Sequence, residues 1–314
     1  HAFCIGEGFV RTSFFLNLIA DVLVMTMPDL NSFHIKRSMA AKVHYVYVFH
    51  SIVSTHMIYR EKAFDNFDTI LTVRPHHDAE IRATESLYGL NPKNLVPHGS
   101  GRLDVILAED RSALDFGSIN KQSEVHVLVA PSWGPNGLLE TKGEQVVEIL
   151  LESGFNVTVR PHPMTTRYCP KVIRALRQFE ANNNFNLEID VSSNNSFYKS
   201  HVLISDWSGT AFEFAFGLLR PVVFIDSPRK INNRKYAEIG VEPIEVSFRK
   251  RLGVVLLQSD IERLPQILED LLKSGSSVKE SIRLARSEAI HHLKSSGAIA
   301  ANKVNEISAN ASKN

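Results

Sequence analysis

Cysteine is scarce in this sequence: Cys4 and Cys169 lie far apart and have no partners at metal-ligand spacing. This scarcity excludes a disulfide framework and a cysteine-rich zinc site, and it favours a reducing cytoplasm. An excess of charge of one sign is also missing, since 35 Lys and Arg face 34 Asp and Glu. Because nucleic-acid-binding proteins usually carry a basic excess or stripe, we predict no nucleic-acid partner.

Long hydrophobic runs are missing as well. No apolar run approaches the roughly 18 residues of a membrane-spanning helix. The segment Phe14–Val24 is interrupted by Asn17 and Asp21, so it does not read as a signal peptide. We therefore expect a cytoplasmic protein and leave peripheral contact with the inner face of the membrane open. Because the chain begins with His1 and opens close to a strand-like segment, we expect that a first strand–helix unit precedes it.

What is present is the composition of a soluble globular protein, with 44% hydrophobic and 22% charged residues over 314 positions. That length is typical of two domains. In the second half, short β-branched runs alternate with helical patterns, which predicts right-handed βαβ units and a parallel sheet. The predicted strands there are Val125–Ala130, Val157–Arg160, Leu187–Val191, Val202–Ser205 and Val222–Ile225, and the helices are Glu144–Leu151, Lys171–Phe179, Ser196–Ser200 and Thr210–Leu218.

The first half repeats this alternation less clearly. It predicts strands at Asp21–Met27, His44–Phe49 and Thr69–Val73, and helices at Thr55–Asn66 and Ala79–Tyr88. The mixed stretch Ala113–Ser123 is the predicted linker. Amphipathic helices are predicted at Ile261–Leu272 and Val278–Leu293, and the polar tail after Ala301 is expected to fray. The expected domains are residues 1–113 and 120–275, both α/β and Rossmann-like with the ligand between them, followed by C-terminal helices and tail at 276–314.

The sharpest local pattern is a strand ending at Ser205, followed by small and hydroxylated residues that open a helix. Free N–H groups and the dipole at a helix start bind anions. The candidate nucleotide-binding residues are Asp206, Ser208, Gly209, Thr210 and Glu213, with Glu213 one turn into the helix and within reach of a ribose hydroxyl. The alternative is that Ser208 only caps the helix, which explains one hydroxyl but not the whole set.

Two histidines end predicted strands. His162 is held between prolines after Arg160, and His50 follows the strand of the first half. A histidine in this position can act as a general acid, as a general base or as a hydrogen-bond donor to a phosphate. Arg160 can bind a phosphate through its guanidinium. The alternatives are that both histidines cap loops and that Arg160 pairs with an acid. Ser132 lies in a Gly/Pro loop after another strand, where it can contact a donor or belong to an ordinary turn.

The remaining histidines and basic clusters favour structural roles. His56 is expected to be structural, and so are His76 and His77, although their Arg-Pro-His context repeats that of His162. Their spacing makes no metal set, so no protein-bound metal and no cofactor is predicted. The clusters Arg229–Lys230 with Arg234–Lys235, and Arg249–Arg251, are interpreted as solvated faces, with binding patches as the alternative. Nucleotide-binding Gly-rich loops and the serine-hydrolase elbow are missing from the sequence.

Five short landmarks in order resemble the CDP-glycerol glycerophosphotransferase family of teichoic-acid-type polymerases and primases. They are the strand ending at His50, then Gly99–Asp104, Val129–Trp133, Arg160–Pro163 and Ser205–Gly209. The resemblance implies the GT-B architecture of two facing Rossmann-like domains, with residues 1–113 on the acceptor side and 120–275 binding the nucleotide donor. It implies catalytic roles for His50 and His162 and a diphosphate-binding turn at Ser208 and Gly209.

Three departures from the family pattern accompany the resemblance. Ser51 stands where the family usually has glycine, Gly134 where it has arginine, and Trp207–Gly209 where it has Tyr-Ser-Ser. The leading expectation is transfer of a glycerol-phosphate-like group from a CDP-linked donor to a hydroxyl of a cell-surface polymer or lipid-linked precursor. The alternatives are a GT-B glycosyltransferase that uses a nucleotide sugar, and a non-catalytic protein that binds a nucleotide or polymer.

Overall fold

Two separate parallel sheets organise the chain in the computed structural model, which describes residues 2, 4–73, 75–109 and 124–311. Unit 1 comprises His1–Asp104, Ile231–Ile244 and Ala289–Asn314. Unit 2 comprises Val105–Lys230 and Glu245–Glu288. The predicted linker Ala113–Ser123 lies outside the described residues. The expected fold class, α/β with two parallel sheets, is confirmed.

Unit 1 is built on a four-stranded parallel sheet in the order β1-β2-β3-β4. Its strands are β1 (Val22–Met25), β2 (His44–Val48), β3 (Thr69–Thr72) and β4 (Asn94–Pro97), and its helices are α1 (Gly8–Leu16), α2 (Pro75–Tyr88) and the start of α3 (Gly101–Glu109). Helix α2 connects β3 to β4, as a parallel pair requires. The sequence analysis did not predict β4, a four-residue strand that ends in proline.

The C-terminal segment folds onto the sheet of unit 1, so the expectation of a frayed tail after Ala301 was wrong as far as Ala311, where the described residues end. A sixteen-residue helix, α13 (Ser296–Ala311), packs Ile307 against Val46 and Leu71 of the sheet. The helix continues to Ala311 although the sequence after Ala301 is rich in Asn, Ser and Lys. Burial of an apolar stripe stabilises such a helix even when its overall composition is polar.

One family landmark holds this C-terminal segment in place. The carboxylate of Asp104 accepts hydrogen bonds from the backbone N–H groups of Lys294 and Ser296, at 2.6 and 2.9 Å, and from the Ser296 hydroxyl at 2.5 Å. Gly99 has a φ of +93°, and a Cβ there would lie 2.5 Å from the carbonyl oxygen of His291. The Gly99–Asp104 landmark therefore docks the chain before α13 and has a structural role in unit 1.

The helix predicted at Thr55–Asn66 is also wrong, because the structure has successive turns there. Lys62 adopts a left-handed φ of 67°, which interrupts helical hydrogen bonding. The aromatic rings of this segment insert into one cluster in edge-to-face and tilted contacts. The cluster contains Tyr47, Phe49, Tyr59, Phe64 and Phe67. Burial of these rings outweighs the helical propensity of the segment.

Unit 2 contains a six-stranded parallel sheet in the order β10-β9-β8-β5-β6-β7. Its strands are β5 (His126–Val129), β6 (Asn156–Val159), β7 (Phe185–Leu187), β8 (Val202–Ser205), β9 (Val222–Asp226) and β10 (Gly253–Leu257). Its helices are α4 (Leu138–Glu152), α5 (Pro163–Tyr168), α6 (Pro170–Leu176), α7 (Asn195–Lys199), α8 (Thr210–Leu218), α9 (Ile244–Ser247, from Glu245 onward), α10 (Arg249–Leu252), α11 (Leu264–Lys273) and α12 (Gly275–Ala289, to Glu288).

The central strands of unit 2 are covered on both faces, which explains their continuous apolar runs. Strand β8 is buried along its whole length, and its valine and isoleucine side chains join a core with α4 and α11. Helix α8 matches its predicted bounds. The predicted strand Leu187–Val191 was wrong in position, because β7 spans Phe185–Leu187 and the residues after it turn away from the sheet. Strand β10 was not predicted.

Candidate active site

His50 lies two residues beyond β2 in unit 1, and its side chain is exposed. The loop that follows it, Ile52–Met57, is buried throughout. Two side chains of α2, one helical turn apart, anchor this loop. His77 hydrogen-bonds the carbonyl of Val53 through Nε2 at 2.9 Å, and the Glu80 carboxylate accepts from the backbone N–H and the hydroxyl of Thr55 at 2.6 and 2.7 Å.

The anchoring histidine is neutral, because its two ring nitrogens have distinct partners. The backbone N–H of Val73 donates to Nδ1 of His77, which leaves the ring proton on Nε2 for the Val53 carbonyl. Burial lowers the pKa of His77, and the nearby Glu80 carboxylate partly opposes that effect. His56 follows the anchored Thr55 and hydrogen-bonds the carbonyl of Val241 through Nε2 at 2.9 Å. The exposed His50 is thus followed by a rigid buried loop.

The candidate anion site of unit 2 lies where β8 passes into α8. Ser208 is nine-tenths buried, and its hydroxyl oxygen accepts from the backbone N–H of Thr210 at 3.3 Å. The capping role considered for Ser208 is therefore present in the structure. Glu213 is half-buried in the first turn of the helix. Hydroxyls, a glycine and the positive end of a nine-residue helix meet here at the carboxyl edge of the sheet.

Asp206 organises the neighbouring loop rather than facing solvent. Its side chain is 1% exposed. Its two carboxylate oxygens accept from the backbone N–H groups of Ser132, at 2.7 Å, and Leu138, at 3.2 Å. These two residues flank the loop between β5 and α4, so one carboxylate fixes both ends of that loop. Ser132 is buried at the first of these contacts.

His162 packs in the same region of unit 2. It caps α5, and its Nδ1 accepts from the backbone N–H of Met164 at 3.1 Å. Nδ1 is thus unprotonated, and the ring proton is on Nε2. The ring stacks on Trp133 with 6.0 Å between centroids. Burial, together with the positive charge of Lys230, lowers the pKa of His162 to about 4. At neutral pH, His162 is therefore an uncharged imidazole with one N–H to donate.

Lys230 completes this group of side chains. Its ammonium lies 4.6 Å from the centre of the Trp133 ring and donates to the Trp133 carbonyl at 3.2 Å. Burial lowers the pKa of Lys230, and the Asp206 and Glu140 carboxylates oppose this effect. The sequence analysis noted Gly134 where the resembled family has arginine. Lys230 brings a cation to the same loop from a distant part of the sequence.

Arg160 turns inward. Its guanidinium donates to the carbonyls of Val191 and Ser193, at 2.6 and 2.8 Å, and to the Ser196 hydroxyl at 3.2 Å. It also lies over the Phe197 ring and 3.8 Å from the Glu188 carboxylate. Through these contacts Arg160 holds the segment after β7 in position, and they explain why that segment leaves the sheet.

Comparisons with known proteins identify the family of the chain and its fold. The family model described as CDP-Glycerol:Poly(glycerophosphate) glycerophosphotransferase matches residues 31–231, which is more than half of the chain. The chain belongs to this glycerophosphotransferase family. The resemblance to that family is confirmed, and the protein is a transferase of the glycerophosphotransferase type. No curated protein sequence matches the chain.

Solved structures show the fold of this glycerophosphotransferase. One structure of the wall teichoic acid polymerase TagF has a TM-score of 0.60 and 14% identity, covering 91% of this chain and 73% of that chain. A TagF structure soaked with CDPG has a TM-score of 0.56 and 14% identity, covering 91% and 72%. The GtfA/B complex has a TM-score of 0.50 and 11% identity, covering 95% and 60%. These likenesses confirm the expected GT-B fold class.

Sequence reasoning missed three residues that shape the site. Glu80 belongs to no sequence motif. Its role as the acceptor for Thr55 depends on which side of α2 faces the loop after His50. Lys230 was interpreted as part of a solvated cluster, although it follows the end of β9 by four residues. Trp133 was noted only within a landmark. A tryptophan and a lysine that both follow strands of one parallel sheet were the available signal, because such positions meet at one edge.

Proposed function

We propose that the chain transfers glycerol phosphate from CDP-glycerol to a hydroxyl of a poly(glycerophosphate)-type cell-surface polymer or its lipid-linked precursor. The family description names both substrates, and TagF, of the same fold, was soaked with CDPG. One observation in unit 2 carries the proposal. His162, a neutral histidine whose ring proton is on Nε2, follows β6, and the anion-binding start of α8 follows β8, two strands away in the same parallel sheet.

The proposed reaction is a displacement at phosphorus. The acceptor hydroxyl oxygen bonds to the phosphorus that carries glycerol, and the bond from that phosphorus to the oxygen of CMP breaks. CMP leaves with that electron pair, and His50 takes the proton of the attacking hydroxyl. Catalysis of this kind consists mainly of positioning and electrostatic stabilisation.

The donor-binding roles follow from the geometry of unit 2. Ser208, Gly209 and Thr210 bind the diphosphate through hydroxyls and backbone N–H groups, and Glu213 binds the ribose. The N–H on Nε2 of His162 donates to a phosphate oxygen. The loop that contains Ser132 lies beside the bound donor.

Two further residues of the donor side do not contact the donor; they hold the segments that do. Asp206 supports the site by fixing the loop that contains Ser132 and Trp133. Arg160 does so by fixing residues 191–196. We thus propose that residues 120–275 bind the donor, that residues 1–113 form the acceptor side, where His50 receives the attacking hydroxyl, and that 276–314 are C-terminal helices.

Membrane association is part of the same proposal, since a lipid-linked acceptor lies at the inner face of the membrane. No helix among the described residues is both long and apolar enough to cross a bilayer. Unit 1 exposes large apolar side chains near its start, with Phe9 84% and Ile19 80% exposed. Large apolar side chains that are exposed in this way are available for contact with another surface. Co-sedimentation with phosphatidylglycerol vesicles, reduced by Phe9→Ser, tests this contact; binding equal to that of the unsubstituted protein would exclude it.

The decisive experiment replaces His162 by alanine. Loss of one preorganised donor to a transition-state oxygen lowers kcat by roughly 10²–10³-fold. The matched control is His126→Ala, at the start of β5 and the opposite end of that strand from Ser132. Circular dichroism establishes that both variants fold. Activity of His162→Ala equal to that of the unsubstituted protein would exclude the role of His162.

The nucleotide product separates the proposal from the alternatives. The displacement releases CMP, whereas a glycosyltransferase that uses a nucleotide sugar releases a nucleoside diphosphate. Chromatography of the products of parallel incubations of the acceptor with CDP-glycerol and with UDP-sugars distinguishes the two. A binding protein without catalytic activity would release neither nucleotide.

A further inference from the structure

A cavity of about 500 Å³ opens in unit 2 beside Trp207, the residue immediately before the Ser208 turn. Its charged lining consists of Asp226, Arg229, Arg249 and Lys250. The cavity is within the size range of small-ligand sites and holds far more than a single water molecule.

The two basic clusters that the sequence suggested were solvated faces meet at this cavity. Arg229 follows β9, and Arg249 and Lys250 belong to α10, some twenty residues later. The fold joins them because Nη1 of Arg249 donates to the carboxylate of Asp226, the last residue of β9, at 2.8 Å. Charges that are separate in sequence therefore share one pocket.

Arg249 gives the pocket a rigid cationic wall. Its side chain is 6% exposed. The guanidinium lies 4.1 Å from the centre of the Trp207 ring and 5.1 Å from that of Phe224. Trp207 is itself fixed, because its Nε1 donates to the carbonyl of Ser227 at 2.8 Å. The guanidinium of Arg229 lies 5.6 Å from the same tryptophan ring.

Only part of the Arg249 guanidinium is paired. Its Nη1 donates to Asp226, which lines the same cavity. Nε and Nη2 of Arg249 have no hydrogen-bond partner among the described residues. Asp206 also attracts Arg249, but both of its oxygens accept backbone N–H groups. A buried guanidinium with two unpaired nitrogens, next to the exposed ammonium of Lys250, favours a phosphate.

We propose that this Trp207 pocket binds a phosphodiester of the poly(glycerophosphate) acceptor, an inference that rests on the proposed function. Each repeat of such a polymer carries one negative charge, so a cationic subsite next to the reaction holds the growing end. The pocket adjoins the donor turn through the peptide bond between Trp207 and Ser208. We assign this phosphate to the acceptor, and the two phosphates of the donor to the turn at Ser208.

The kinetic test removes the two exposed charges in the variant Arg229→Gln/Lys250→Gln. We expect KM for the polymer acceptor to rise roughly tenfold, and its dependence on salt to weaken, while KM for CDP-glycerol stays within about twofold. The matched control is Lys171→Gln/Arg174→Gln on α6, beside the other half of the sheet. An unchanged acceptor KM would overturn the proposal, and so would a rise confined to the donor KM.

A binding test separates this proposal from the catalytic one. With Trp133→Phe, Trp207 becomes the single tryptophan of the chain. Glycerol 3-phosphate should change its fluorescence in a saturable manner, uncharged glycerol should not, and Arg229→Gln/Lys250→Gln should abolish the change. Loss of activity in His162→Ala with no fluorescence response would refute the pocket alone. A response in a protein that releases no CMP would refute the proposed reaction and leave phosphate binding at the pocket supported.

Discussion

The two units support their site loops in the same way but with different chemistry around the support. In unit 1 the loop after His50 is tied to the buried carboxylate of Glu80, and in unit 2 the loop of Ser132 is tied to the buried carboxylate of Asp206. Both carboxylates accept a backbone N–H. Around Glu80 lie histidines, with Nδ1 of His56 3.5 Å from the carboxylate. The charged neighbours of Asp206 include Lys230 and Arg249.

This difference matches the chemistry proposed for each unit. Lysine and arginine stay charged near neutral pH, so the cations beside Asp206 provide a constant positive field where phosphates bind. Burial lowers the pKa of His77, so the loop after His50 is held by a neutral imidazole and the carboxylate of Glu80. A carboxylate that accepts loop N–H groups gives rigidity in both cases, since breaking it leaves buried donors unpaired.

The largest effect is expected when Asp206 is replaced. Asp206→Ala leaves the N–H groups of Ser132 and Leu138 without acceptors and removes the counter-charge of Lys230. We expect the free energy of unfolding of unit 2 to fall by about 3–5 kcal/mol, measured by urea denaturation. Asp206→Asn keeps one acceptor and should cost less. A loss below about 1 kcal/mol for the alanine variant would show that the loop does not depend on this carboxylate.

A smaller effect is expected at Glu80. Glu80→Ala removes the acceptor of two hydrogen bonds from Thr55 and should lower the free energy of unfolding by about 2–3 kcal/mol. Because the loop follows His50, kcat should fall more than KM changes. Glu80→Gln, which keeps one acceptor oxygen, is the matched control and should restore most of kcat. If Glu80→Gln were as slow as Glu80→Ala, the charge rather than the position of the loop would be what matters.

Periodicity and strand ends predicted much of the fold. Strands such as Val202–Ser205 and the helix Thr210–Leu218 were found because buried runs and their caps are local features. The turns around Lys62 and the docking of α13 were not predicted. Both depend on distant partners, the aromatic cluster in one case and Val46 with Leu71 in the other.

Prediction of the candidate site from the sequence was limited in the same way, by contacts between distant residues. The sequence singled out His162, Ser208 and Asp206 because each follows a strand. It did not show that Asp206 faces backbone N–H groups, since a side chain's direction after a strand depends on the loop that it meets. Lys230 was missed because its partner, Trp133, is nearly a hundred residues away. The roles of these residues in catalysis stay predictions.

The smallest effect is expected at His162. It is compared with His77, because both histidines are buried and their charged neighbours have opposite signs. At His77 the Glu80 carboxylate opposes the lowering of the pKa by burial, whereas at His162 the ammonium of Lys230 adds to it. Lys230→Met should therefore raise the pKa of His162 from about 4, but leave it below 6.5, because burial is the larger cause. NMR titration of the imidazole resonances measures this shift. The pKa of His77 is the internal control and should not move.

The same shift determines how stability depends on pH. The pKa of His162 in the folded state lies below its unfolded value. The contribution of the neutral imidazole to the free energy of unfolding is therefore complete above about pH 6.5 and is lost as the pH falls toward 4. Because Lys230→Met raises the folded-state pKa, this loss spans a narrower pH range in the variant. In melting curves recorded between pH 7 and 4, the variant should lose less of its stability than the unsubstituted protein does. An equal loss in both would mean that burial alone sets the pKa of His162, and that Lys230 serves the phosphates rather than the histidine.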